Sequence, residues 1–141
     1  DNYDLQNSHV LPALIRKFHE AKIQNLPEVE IWGSGKPLRE FMHVDDLADA
    51  CLFVMNNYDH WQFLNVGSGE EISIGDLALL IKEIIGYGGE LIHNTEKPDG
   101  TIRKLMDSKK IKDLGWIPQI MLKEGVKSVY EGYRNAEKTY N

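Results

Sequence analysis

The chain has 141 residues, of which 42% are hydrophobic and 27% charged, with a formal net charge of −6 and a single cysteine. That length supports one domain with its own core, and the composition excludes a disordered chain, an internal disulfide framework and a nonspecific nucleic-acid binder, whose surface would be basic. No apolar run is long enough to span a membrane and no signal peptide is visible, so with one cysteine a reducing, cytoplasmic setting is expected.

In chain order, Ser8 is placed to cap a helix reaching about Asn25, with Leu11, Leu14, Ile15 and Phe18 on one face and Arg16 and Lys17 off it. Pro12 falls in the first turn, where its missing N–H costs little. Residues 28–32 read as a short strand. Gly33, Gly35 and Pro37 break it, and residues 39–42 read as a second extended piece. Asp45 or Asp46 is expected to cap the next helix, whose stripe is Leu47, Ala50, Cys51 and Val54. Cys51 on that stripe reads as a small buried hydrophobe. Residues 62–66 read as a strand. Ser73 and Asp76 form a capping-box-like start to a helix carrying Leu77, Leu80, Ile81 and Ile84, stopped by Gly86. Residues 90–93 read as a strand, 97–102 as a turn-rich loop and 104–106 as extended. Asp107 or Ser108 caps a short helix ending at Gly115. A last helix runs from about Leu122 to Tyr140 with Val126, Val129, Tyr130 and Tyr133 inward. Helices alternating with short strands give an α/β chain.

The chemistry is sparse when read locally. Five histidines and one cysteine show no metal-ligand spacing, so no metal is expected. No Gly-rich dinucleotide fingerprint follows a strand, and there is no Tyr-x-x-x-Lys. Residues 32–47 carry Lys36 and Arg39 around a turn, and such cations can pair with phosphate oxygens, the Arg bidentately. Local pattern alone favours a plainer reading, a β-turn flanked by solvated charges.

Trp32-Gly33-Ser34-Gly35, followed by Arg39-Glu40-Phe41-Met42-His43-Val44-Asp45-Asp46, resembles a segment of extended short-chain dehydrogenases/reductases acting on nucleotide sugars. Asn7-Ser8-His9-Val10-Leu11-Pro12-Ala13-Leu14, Lys97-Pro98-Asp99-Gly100-Thr101 and Arg103-Lys104-Leu105-Met106-Asp107 are similar to the GDP-L-fucose synthase branch of that family. The resemblance covers nearly the whole chain, in the family's order. It implies an NADPH-dependent GDP-4-keto-6-deoxymannose 3,5-epimerase/4-reductase, cytoplasmic and homodimeric. Residues 1–141 would be its C-terminal nucleotide-sugar-binding domain, α+β-like in isolation because most of the Rossmann sheet lies upstream. NADP would be held mainly by that upstream part, together with the reducing Tyr and Lys, so the chain alone is expected to be inactive.

The same resemblance implies that His9 transfers protons during epimerisation and touches the cofactor, and that Lys17, Trp32, Arg39, Asp99 and Lys104 face the GDP-sugar. A 4-keto group acidifies the neighbouring carbons and imidazole titrates near neutral pH, so the His9 role is chemically sound. Asp99, an acid, suits a hydroxyl or guanine N–H rather than a phosphate. Each residue also has a plain reading: His9 as an ordinary first-turn residue, Lys17 as a solvated helix charge, Trp32 as strand packing, Asp99 and Lys104 as loop punctuation. The competing functions are another nucleotide-sugar epimerase or dehydratase, and a nucleotide-sugar-binding module without catalysis.

Overall fold

The computed structural model describes residues 2–5 and 7–140. It contains α1 (Val10–Ile23), β1 (Glu28–Trp32), β2 (Leu38–Glu40), α2 (Val44–Asn57), β3 (Glu71–Ser73), α3 (Ile74–Ile85), β4 (Glu90–Asn94), β5 (Arg103–Lys104), α4 (Lys109–Asp113) and α5 (Leu122–Tyr140). Two small sheets result. β1 and β4 pair in parallel, with Glu28 opposite Glu90 and Trp32 opposite Asn94. The other sheet has the order β3-β2-β5, with β2 antiparallel to β3 and parallel to β5. The mixed α/β expectation holds.

α3 is the centre of the larger core. Ser73 starts it as read, its hydroxyl accepting from the Asp76 N–H at 3.0 Å and donating to Asp76 Oδ2 at 2.6 Å. Gly86 ends it in the left-handed region, φ 71°, where a residue without a β-carbon is unstrained. Its Leu77, Ala78, Ile81 and Ile85 pack with Leu14, Ile15 and Phe18 of α1, Val29 and Ile31 of β1, and Val126 and Tyr130 of α5. Alternate residues of β1 are therefore buried, and Glu28, Glu30 and Trp32 point the other way.

A second, smaller cluster joins Ala50 of α2 to Ile111 of α4 and Trp116. Here the sequence expectations need correction. α2 is capped by His43, whose Nδ1 accepts the Asp45 N–H at 3.3 Å, and not by Asp45 or Asp46. Asp46 is buried and reaches across to the chain before α5, its two oxygens accepting the Gln119 and Ile120 N–H groups at 3.0 Å each. Asp49 accepts the Trp116 indole N–H at 2.8 Å. These carboxylates turn the Asp46–Ala50 side of α2 inward, so Cys51 is exposed rather than buried, on a face with Val44, Leu47, Leu52 and Met55. Residues 62–66 form no strand, because no described strand lies beside them to complete a ladder, and Phe63 stands exposed. Ser8 does not cap α1 either. His9 occupies that position without a side-chain bond, while Ser8 donates its backbone N–H to the Asp4 carbonyl at 3.0 Å. No helix among the described residues is long and apolar enough to cross a membrane.

The Asp46 clasp is testable. Asp46→Asn keeps one acceptor and turns an NH2 towards the other backbone donor, so it should cost about 1–2 kcal/mol. Urea unfolding followed by circular dichroism should show a lower midpoint with an unchanged slope. An unchanged midpoint would mean that water or other groups satisfy those N–H groups equally well.

Candidate nucleotide-sugar site

β1 ends at Trp32, and the chain then turns through Gly33 and Gly35, both at positive φ, before entering β2. Gly35 lies directly against α3's start, where its carbonyl accepts the Gly75 N–H at 2.8 Å. This turn places the end of one sheet beside the start of the other. Three groups of the residues singled out by sequence gather around it.

The first group is Trp32 with two ammonium groups. Lys17 of α1 and Lys97 of the loop after β4 each hold Nζ 5.3 Å from the Trp32 ring centroid, within cation–π range. Trp32 itself is 53% exposed, so it is not core packing. Lys17 is half-buried and donates to the Glu30 carbonyl at 3.0 Å; burial pulls its pKa below the ordinary lysine value, opposed by the Glu30 charge. Lys17 and Trp32 line a cavity of about 210 Å³ with Ser8, Ala13, Ile31 and Ile74.

The second group is Asp99 with Ser34. Asp99 Oδ1 accepts the Ser34 N–H at 2.5 Å and Oδ2 accepts its hydroxyl at 2.8 Å. Those two bonds, the hydroxyl's first, hold the Asp99 carboxyl below the usual aspartate range. Asp99 thus clasps the 97–102 loop to the turn after β1, and both of its oxygens already have a protein donor.

The third group is Arg39 with Lys104. They sit opposite one another on the parallel strands β2 and β5, so their side chains leave the sheet on the same face. Arg39 donates Nη1 to its neighbour's carbonyl, Leu38 O, at 2.7 Å. Among the described residues neither cation has a carboxylate within ion-pair distance. The loop clasped by Asp99 touches this pair too, since Arg39 Nη2 lies 3.8 Å from where a β-carbon on Gly100 would stand.

His9 is set apart from these groups. It is exposed at the start of α1, its backbone extended (φ −68°, ψ 164°), and no hydrogen bond or ion pair of its side chain is found among the described residues. Lys17 lies two helical turns further along, roughly 12 Å along the axis. Sequence reasoning passed over Lys97 and Ser34, although both help to build this arrangement. Ser34 had a local signal, its place between two glycines; Lys97 meets Trp32 only through the fold.

The sequence model of the NAD dependent epimerase/dehydratase family matches residues 1–74. The chain belongs to that family. GDP-L-fucose synthase 1 of Arabidopsis thaliana is 53% identical over 133 residues, covering 94% of this chain and 41% of that protein. A GDP-L-fucose synthetase from Naegleria fowleri bound to NADP superposes with a TM-score of 0.91 at 30% identity, over 99% of this chain and 44% of that one. An NADP-bound GDP-mannoheptose C4 reductase from Campylobacter jejuni gives 0.82 at 40% identity, over 94% and 48%. The chain spans about two-fifths of the length of the curated relatives it matches.

An epimerase/dehydratase-family chain invites a search for the dinucleotide site. A pyrophosphate cradle needs a Gly-rich turn that feeds a helix N-terminus. Neither Gly-Ser-Gly turn does so: residues 33–35 lead into β2 and residues 67–69 into β3. The described residues therefore do not fit a dinucleotide cradle. Nor do they hold a group of three or more His, Cys, Asp or Glu side chains placed for a metal ion.

Proposed function

We propose that this chain is the GDP-sugar-binding domain, residues 1–141, of an NADPH-dependent GDP-4-keto-6-deoxymannose 3,5-epimerase/4-reductase that makes GDP-L-fucose. The observation that carries the reading is the Arg39–Lys104 pair. Two cations forced side by side by strand register repel one another, and that arrangement is relieved when an anion sits between them. A diphosphate supplies such an anion. Lys17, Trp32 and Lys97 border the same turn, offering a ring face and two charges to the rest of a nucleotide sugar. His9 serves the sugar end, taking and returning protons beside the 4-keto group. NADP is held by the remainder of the longer enzyme, with His9 as this chain's contact to it. A cytoplasmic homodimer is part of the same reading. The names of the relatives support the GDP-sugar and NADP parts of the reading.

Titration calorimetry tests the binding half. GDP should bind the chain with a measurable exotherm, and GMP, which has one phosphate fewer, should bind more weakly. Mixed with NADPH and the keto-sugar, the chain should leave the NADPH absorbance flat. Equal binding of GDP and GMP would remove the diphosphate from the reading, and steady NADPH oxidation would show that the chain carries the reduction itself.

A second reading is reduction of a different GDP-4-keto-sugar, favoured by the 40% identity to a protein named as a GDP-mannoheptose C4 reductase. It uses the same diphosphate pair and differs only at the sugar end.

A further inference from the structure

β5 has only two residues, Arg103 and Lys104, and a parallel pairing that short has little ladder to hold its register. At its start the Leu38 N–H donates to the Ile102 carbonyl at 2.8 Å. At its end the backbone bond a longer strand would make is replaced by a side chain. The Met106 N–H donates to Glu40 Oε2 at 3.1 Å. Glu40 Oε1 accepts the Gly69 N–H at 2.6 Å, and the Ser68 hydroxyl lies at 3.5 Å. Glu40 follows Arg39 in β2, the middle strand, so strand alternation sends its carboxylate to the face away from the Arg39 guanidinium. One carboxylate therefore ties the chain on both flanks of β2 to that strand. The loop is fitted closely around it: a β-carbon on Gly67 would stand 2.5 Å from Glu40 Oε1.

We propose that Glu40 is the positioning residue for the diphosphate pair, holding Lys104 beside Arg39 by anchoring the Met106 N–H. This rests on the reading of Arg39 and Lys104 given above. Only an ionised carboxylate offers an acceptor to both backbone donors; an amide offers one oxygen and turns a donor towards the other. When that bond is lost, β5 frays from its C-terminal end and Lys104 leaves the register that brings it to the ligand.

The test is calorimetric titration of the chain with GDP, read in a mutant cycle. Glu40→Gln should lower affinity by roughly ten-fold, and Lys104→Ala by a similar factor. The double variant should be no worse than Lys104→Ala alone, because Glu40 has no lysine left to position. A general structural role would instead add its loss in both backgrounds. Met106→Pro, which deletes the N–H and leaves Glu40 intact, provides a second route if Glu40→Gln fails to fold, and should give the same non-additive loss. Unchanged GDP affinity in Glu40→Gln, or additive losses with Lys104→Ala, overturns the positioning role. Arg39→Ala separates the two ideas: if it loses affinity while Glu40→Gln does not, the diphosphate reading stands and Glu40 falls; if Arg39→Ala also binds normally, the diphosphate reading itself fails.

Discussion

Replacing His9 with Gln in the complete enzyme should slow epimerisation by about a hundred- to ten-thousand-fold, the range by which general acid–base groups act. Glutamine keeps the size and a hydrogen-bonding end but cannot take up a proton near neutral pH. The position suits such a role. His9 stands at the head of α1 with no side-chain bond to the protein among the described residues, so its ring is free to serve a substrate. Its backbone stays fixed, with its carbonyl accepting the Ala13 N–H at 3.1 Å, and the substitution should leave the fold intact. GDP affinity should change little, since Arg39 and Lys104, proposed above to grip the diphosphate, lie on the second sheet. Solvent deuterium uptake at the sugar carbons flanking the ketone reads the step directly. Uptake at the wild-type rate would return His9 to an ordinary helix-start residue.

Arg39→Ala should weaken GDP binding by roughly ten- to a hundred-fold, since a hydrogen bond to a charged partner is worth about 1.5–3 kcal/mol. Arg39→Lys should recover only part of that loss, because an ammonium cannot make the planar two-point contact. The melting temperature without ligand should not fall. Arg39's one internal bond is to the adjacent carbonyl, and removing the guanidinium also removes its repulsion with Lys104. Titration with GDP and thermal melts of the same variants check both halves. A drop in melting temperature with unchanged GDP affinity would make Arg39 a framework residue.

What the sequence disclosed followed from short range. The Ser73–Asp76 start of α3, its Gly86 stop, and the short strand β1 are set by neighbours within a few positions. The misreadings share a cause. Asp46 looked like a cap because the helix N-terminus was the only visible donor; its actual partners are 73 and 74 positions away. Once Asp46 faces inward, a rotation of α2 follows, and Cys51 must face out. Residues 62–66 have strand composition, but a strand exists only beside another. For the candidate site, Lys17, Trp32, Arg39, Asp99 and Lys104 were singled out through family order. Composition held no hint that Asp99 would be engaged by Ser34, or that Glu40 would tie two flanks of a sheet together.

The two clusters of buried side chains are very unequal, and β2 leads out of one and into the other: Phe41 packs on the larger and Met42 on the smaller. Regions held by few apolar contacts open more readily than the body of a protein. α2 and α4, resting on Ala50, Ile111 and Trp116, are therefore expected to open before α1, α3 and β1, which share the larger cluster. Arg39 stands two residues before that crossing. A ligand held there, as proposed above, would draw on both units, and part of its binding free energy would go into keeping the weaker one in place.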